Sequence, residues 1–497
     1  MARPILLWFT RDLRLADHPA LDAAARTGRP IAPVFVLDDV SPGAWARGAA
    51  SRWFLAGALE ALGEAIAARG GRLLLRRGPA DRVVAELARE LGAAAVHWSR
   101  GFDPASRAVE ERLAGRLGEL GIAARAFPGF LIHEPRAVLQ RDGEPYRVYT
   151  PFSRAWLERE PPGRPLPVPD RLAFLAPELE SETIGSLALR PTKPDWGGGL
   201  RAAWDTSERG AEALLERFLE GAIWSYGRAR DFPGRPGVSR LSPHLAVGTI
   251  SPRRIHWAAR TRAEAEGRGS SAAWPFLRQL VWREFAWSNL FHFPELPDRP
   301  LRGEFDRFPW AEDYAALRAW RKGRTGYPIV DAGMRELWAT GWMHNRVRMI
   351  TGSFLTKDLL IPWQEGERWF WDTLVDADLA NNAMGWQWVA GSGIDAAPYF
   401  RIFNPVLQAK KFDPDGTYVR RWVPELAKLP NDWLHEPWAA PPLVLEEAGV
   451  RLGATYPWPI VEHARARERA LAAFEALRGG REPEPAARAQ PRPRSSA

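Results

Sequence analysis

The chain contains no cysteine. That excludes disulfides, thiolate nucleophiles and Cys-ligated zinc or iron–sulfur clusters, and it suits a reducing, cytoplasmic setting. Long apolar runs are missing too: none approaches the roughly 18 residues needed to span a bilayer. The opening MARPILLWFTRDLRL passes from a short apolar run straight into charges, unlike a signal or transit sequence. A soluble protein with no membrane contact is expected. Lysine is scarce, 6 of the 68 basic residues, so arginine carries the positive charge. The turn after the first apolar segment, TRDLRLADHP, has no G-x-G-x-x-G, which argues against a nicotinamide or Rossmann-type flavin site there.

Tryptophan, by contrast, is abundant: of 25 in the chain, 18 follow residue 206. Large aromatic surfaces are therefore concentrated in the C-terminal half, where a site is expected. A net charge of +8 favours a polyanionic partner such as nucleic acid. On composition alone, a solvated arginine-rich surface accounts for that charge equally well.

At 497 residues the chain is too long for one typical core. PILLWF (4–9), IAPVFVL (31–37), RLLLR (72–76), AAAVHW (93–98) and IAARAF (122–127) read as strands. Helical patterns alternate with them, the clearest being residues 51–70 with Ser51 as candidate N-cap. This predicts an α/β domain with a doubly wound parallel sheet over 1–132. A Pro/Gly-rich connector over 133–205 follows, then a large all-α domain over 206–475 in which residues 333–360 form one helical stretch. Residues 476–497 have little apolar content and are expected to be a disordered tail.

Four segments in the helical half combine polar groups with aromatics. In DADLANNAMGWQWVAGSG (376–393), four-residue spacing sets Asp378, Asn382 and Trp386 on one helix face, with Trp388 pointing away. In MHNRVRMITGSF, Asn345, Arg348 and Met349 share a face beside Arg346, and in FLRQLVWREFAW, Gln279 neighbours Trp282 and Arg283. DFPGRPGVSRLSPHL (231–245) is a Gly/Pro-rich loop able to hold phosphate through backbone N–H groups. Taken singly, each set serves as helix caps and packed core; together they suggest an aromatic-walled cavity for a nucleotide-like cofactor.

TGYPIVDAGMREL (325–337), NRVRMITGSFLTKDLLIPWQ (345–364) and DADLANNAMGWQWVAGSGIDAAPYFRIFNP (376–405) resemble the signature blocks of the DNA photolyase/cryptochrome family, as do RVYTPFSRAW (147–156) and WFTRDLRLADHPAL. The likeness runs from residue 4 to about 470 and is closest to a class I-type cyclobutane pyrimidine dimer photolyase. It implies an N-terminal α/β antenna domain and a helical domain binding U-shaped FAD. It also implies a second chromophore (methenyltetrahydrofolate, a deazaflavin or a flavin) and a monomer acting on UV-damaged DNA by light-driven electron transfer, without a metal. A cryptochrome-type blue-light receptor is the alternative.

By position, the resemblance gives the cofactor Tyr226, Val238, Ser239, Arg240, Leu241, Ser242, Phe276, Gln279, Arg283, Asn345, Arg348, Asp376, Asp378 and Asn382. Asn382 would stand at flavin N5, where plant cryptochromes place an aspartate. Trp310, Trp363 and Trp386 match the family's electron-transfer chain. Lesion and DNA contacts fall on Arg230, Gln279, Trp282, Asn345, Arg346, Met349, Trp388 and Arg401. Two positions depart from the pattern: Gln279 replaces a glutamate that bonds the dimer, and Val238 replaces a hydroxyl residue near the FAD phosphates.

Overall fold

The computed structural model describes residues 2–399 and 401–479, the side chain of Ser270 excepted. The tail expected over 476–497 thus lies outside the described residues from 480 onward. Five parallel strands form one sheet: β1 (Ile5–Phe9), β2 (Ile31–Leu37), β3 (Leu74–Arg77), β4 (Ala95–Ser99) and β5 (Ala123–Phe127), in the order β3-β2-β1-β4-β5. β1 pairs with β2 from Ile5 opposite Ile31 and with β4 from Ile5 opposite Ala95, so the winding reverses at β1. Every residue of β1, β2 and β4 is buried, as a parallel sheet covered on both faces requires. Leu6, Val34 and Val96 of the sheet pack with Val84 of the helix Ala80–Glu90 and Leu113 of the helix Pro104–Glu119.

The turn after β1 is held by buried polar groups instead of glycines. The Thr10 N–H donates to Asp12 Oδ1 at 2.7 Å, and His18 Nε2 lies 3.0 Å from Asp12 Oδ2. The buried Arg14 donates to the carbonyls of Asp17, Gly129 and Gly248. Gly248 sits at φ +81° with the Arg11 carbonyl 1.9 Å from where a Cβ would stand, so no side chain fits. The remainder is predominantly helical, and the α/β plus all-α architecture is present.

Two helical expectations change. The helix read over 51–70 runs from Ala49 to Ala67, with Gly48 at its N-cap and Ser51 buried inside the first turn. Ala49 and Ala50 are strong helix formers and carry the helix past the serine. The stretch 333–360 is two helices, Pro328–Thr340 and Asn345–Ser353, followed by a π-turn over Phe354–Asp358. Gly341 at φ +67° ends the first, and the His344 side chain accepts the Arg346 N–H to start the second.

The described residues divide into two compact units. One holds residues up to 224, 239–294 and 375–381; the other holds 225–238, 295–374 and those from 382 onward.

Candidate functional site

In the first unit the helix Trp274–His292 carries Phe276, Gln279, Trp282 and Arg283. Arg283 is buried and donates to the Phe130 carbonyl at 3.0 Å, while its Nη2 has no partner among the described residues. Burial depresses its pKa, opposed by the nearby Asp378 and Glu284 carboxylates. A buried guanidinium with a spare donor calls for a polar ligand group, which the carbonyl edge of a flavin would satisfy. Gln279 folds its amide back onto the Pro275 carbonyl at 3.3 Å. Phe276 is buried against Phe218, with 4.6 Å between ring centroids.

Asp376 and Asp378 are both buried. Asp376 accepts the Ser242 hydroxyl at 2.6 Å. Asp378 precedes the helix Leu379–Ala390 and caps it, accepting the Asn381 N–H at 2.9 Å, while its other oxygen takes the Trp287 indole N–H at 3.0 Å. The four-residue face expected from Asp378 therefore begins at the cap. Leu241 is buried, Ser239 is half-buried, and Arg240 adopts φ +56° with its guanidinium 4.5 Å from the Trp204 ring. The half-buried Trp282 lies flat against Tyr149, ring centroids 3.5 Å apart and planes within 4°.

In the second unit, Asn382 Nδ2 donates to the main-chain carbonyl of Glu367 at 3.0 Å. Trp386 is buried with its ring on Gly366, so close that a Cβ there would lie 2.1 Å from it. Trp363 begins the same helix as Gly366 (Trp363–Thr373) and is buried, while Trp310 is half-buried, 4.5 Å from the Phe308 ring. The three indoles thus range from enclosed to partly solvent-facing.

The same unit holds most of the expected DNA-facing groups. Arg346 pairs with Asp231 at 2.9 Å and lies over the Phe412 ring; Arg230 approaches Asp231 at 3.9 Å and Tyr226 at 5.4 Å. Arg230 Nη1 and Arg346 Nε are buried donors without partners among the described residues. The exposed Asn345 reaches Met349 Sδ at 3.9 Å, confirming their shared face. Arg348 donates to the Met343 carbonyl at 2.8 Å. Tyr226 is buried, Val238 and Trp388 are half-buried, and Arg401 is exposed.

Four residues that matter here were not singled out from sequence. Glu367 holds the Asn382 amide, Asp231 meets two arginines, Trp287 bonds Asp378, and Tyr149 backs Trp282. Asp231 follows Arg230 directly, and Tyr149 lies inside a quoted family block; those were the available signals.

Residues 5–170 match the DNA photolyase family, and residues 276–476 match the FAD binding domain of DNA photolyase. Over 477 residues the chain is 49% identical to the deoxyribodipyrimidine photo-lyase of Agrobacterium fabrum, spanning 96% of this chain and 98% of that one. It belongs to the DNA photolyase/cryptochrome family. Cryptochrome-1 of Arabidopsis thaliana is another member of this family, 38% identical over 93% of this chain and 69% of its own. A crystal structure of a bacterial class III photolyase from Agrobacterium tumefaciens superposes with a TM-score of 0.92 at 48% identity, covering 96% and 98% of the two chains. The helical domain of this family member is therefore of the FAD-binding photolyase kind. Among the described residues no helix is long and apolar enough to cross a membrane.

Proposed function

We propose that this chain is a light-dependent lyase that splits cyclobutane pyrimidine dimers in UV-damaged DNA. The observation that carries the reading is the tether on Asn382. Its amide nitrogen is committed to the Glu367 carbonyl, which fixes the orientation of the amide and leaves Oδ1 as a neutral acceptor. A neutral acceptor suits a protonated flavin N5 and cannot hand it a proton, unlike the aspartate of plant cryptochromes. When bound, FAD supplies the photoexcited electron that opens the two carbon–carbon bonds of the dimer and recovers it afterwards.

The protein residues bind, orient and connect. Arg283, with its spare buried donor, and Asp376 and Asp378, each anchored by a hydrogen bond, would hold the flavin, together with Arg348, Tyr226, Phe276 and the 238–242 segment. Trp310, Trp363 and Trp386 would relay electrons inward from solvent. Trp282 and Trp388 would stack the pyrimidines once they leave the duplex, with Gln279, Asn345 and Met349 touching the lesion. Arg230, Arg346 and Arg401 would meet phosphates. An antenna chromophore is proposed for the α/β domain. The 48% identity to a class III photolyase favours that class for this chain.

The deciding experiment incubates FAD-loaded protein with a thymine-dimer oligonucleotide under blue light and counts monomeric thymines. Restoration of thymines, absent in the dark, is expected. A cryptochrome-type receptor would hold its flavin and leave the dimers intact.

A further inference from the structure

Trp282 is a half-buried indole of the helix Trp274–His292, and one of its two faces is already covered. Tyr149, the first residue of the helix Tyr149–Leu157, lies on it with 3.5 Å between centroids and planes 4° from parallel. Two further contacts fix this stack. The Tyr149 hydroxyl donates to the carbonyl of Arg278 at 3.2 Å, one turn before Trp282 on the same helix. Phe285 meets both rings edge-on, with centroids at 5.8 Å from Tyr149 and 5.8 Å from Trp282. Phe152, a turn further along the tyrosine's own helix, packs against Phe285 at 5.1 Å.

A tryptophan on a helix ordinarily chooses among rotamers, and a base that stacks on it must first select one. Here that choice is removed before any ligand arrives. With one π-face taken and its edge braced, the indole has a single face left on which a flat ring can lie. Stacking of a base on an aromatic wall is worth most when the wall is already in place, because no ordering of the side chain is then charged against binding.

We propose that Tyr149 is a positioning residue for lesion recognition: it forms the back layer of a tyrosine–tryptophan–base sandwich and holds Trp282 in the orientation that receives an everted pyrimidine. The inference rests on the reading of Trp282 as a lesion wall. It adds a residue from the segment joining the α/β and helical parts, which touches neither base nor cofactor and acts only through the indole.

The test compares Tyr149→Ala, Tyr149→Leu and Tyr149→Phe with wild type, all loaded with FAD. Affinity is measured for a single-stranded thymine-dimer oligonucleotide and for its undamaged counterpart. Tyr149→Leu keeps the apolar filling without a π-face, so it carries the test if the alanine variant folds poorly. Loss of the stack is expected to weaken dimer binding by about tenfold, the range of one aromatic pair. Affinity for undamaged DNA and the repair yield at saturating dimer should stay at wild-type values, and Tyr149→Phe, which keeps the ring, should restore most of the loss. Unchanged dimer affinity in the leucine variant, or an equal drop on damaged and undamaged strands, overturns the proposal. So does a phenylalanine variant as weak as the leucine one. Should wild type itself not prefer the dimer strand, the lesion-wall reading fails and takes this inference with it; the other outcomes overturn this inference alone.

Discussion

The side chain of Asn382 hangs from the main chain of Glu367: its Nδ2 donates to the Glu367 carbonyl at 3.0 Å, and no second partner among the described residues competes for the amide. An aspartate in its place would set two acceptor oxygens against that carbonyl. Asn382→Asp is therefore expected to destabilise the protein by about 1–2 kcal/mol at neutral pH, the cost of a half-buried acceptor pair facing another acceptor. Partial burial and the facing carbonyl would raise the pKa of the new carboxyl. Its protonated form can donate to Glu367, so the deficit should shrink as pH falls through that raised pKa and grow as pH rises. Thermal midpoints of wild type and variant against pH read this directly. A pH-independent deficit would refute the tether.

Gly366 invites a second test because two effects of opposite sign compete there. In a helix interior, replacing glycine by alanine ordinarily stabilises by about 1 kcal/mol. The Trp386 ring, however, comes within 2.1 Å of the new methyl position, and that ring is itself buried and packed edge-on against Trp320 and Phe370. Overpacking of this kind costs about 1–3 kcal/mol, so Gly366→Ala is expected to lose up to about 2 kcal/mol net. It should also slow light-driven reduction of bound flavin, since the shifted indole belongs to the proposed electron path. Denaturation midpoints and photoreduction kinetics check the two parts separately. A stabilised variant would show that the indole repacks freely.

What could be read in advance follows from where the determining interactions lie along the chain. β1 and β2 are buried on both faces, so each leaves a continuous apolar run bounded by polar residues, and local reading suffices. The break at Gly341 was less legible: glycine within a periodic apolar pattern is tolerated in many helices, and here it ends one, at φ +67° with its N–H on the Leu337 carbonyl. Ser51 misled because serine suits a cap, whereas packing buried it within a helix that starts earlier. The position of Asn382 followed from a family motif, but its tether is a main-chain carbonyl, which leaves no residue-type signature at 367. The Tyr149–Trp282 stack joins segments far apart in sequence, and nothing local to either announces it.

Glu367 provides a prediction about pH. Its carboxyl is fully buried, neither oxygen has a hydrogen-bond partner among the described residues, and burial drives its pKa well above the usual carboxylate range, with Asp298 adding to the effect. A folded-state pKa raised above the unfolded one gives stability that is complete below the ordinary value of about 4.5 and is lost as pH rises toward the raised value. Glu367→Gln keeps the shape and removes the titration. The variant should match wild type near pH ~4.5 and become progressively more stable above it, by up to about 1.4 kcal/mol per pH unit until the folded carboxyl ionises. Parallel stability curves for the two proteins across that range would show that Glu367 is ionised in the fold.

Asp231 restrains two arginines of the expected DNA-facing set. It pairs with Arg346 at 2.9 Å and lies 3.9 Å from Arg230, and each guanidinium also keeps a buried nitrogen unpartnered among the described residues. Its negative charge cancels part of the field that would attract phosphates. Asp231→Asn removes the charge while leaving an oxygen to accept from Arg346. Affinity for DNA at low salt is expected to rise several-fold, equally for dimer-containing and undamaged strands, because phosphate contacts carry no lesion information. The slope of log affinity against log salt should steepen by up to about one for each additional phosphate neutralised. Binding isotherms at a series of salt concentrations measure both quantities. If affinity falls and the slope flattens, Asp231 serves instead to hold the arginines in their phosphate-binding pose, and the ion pair is a support for the interface and not a brake on it.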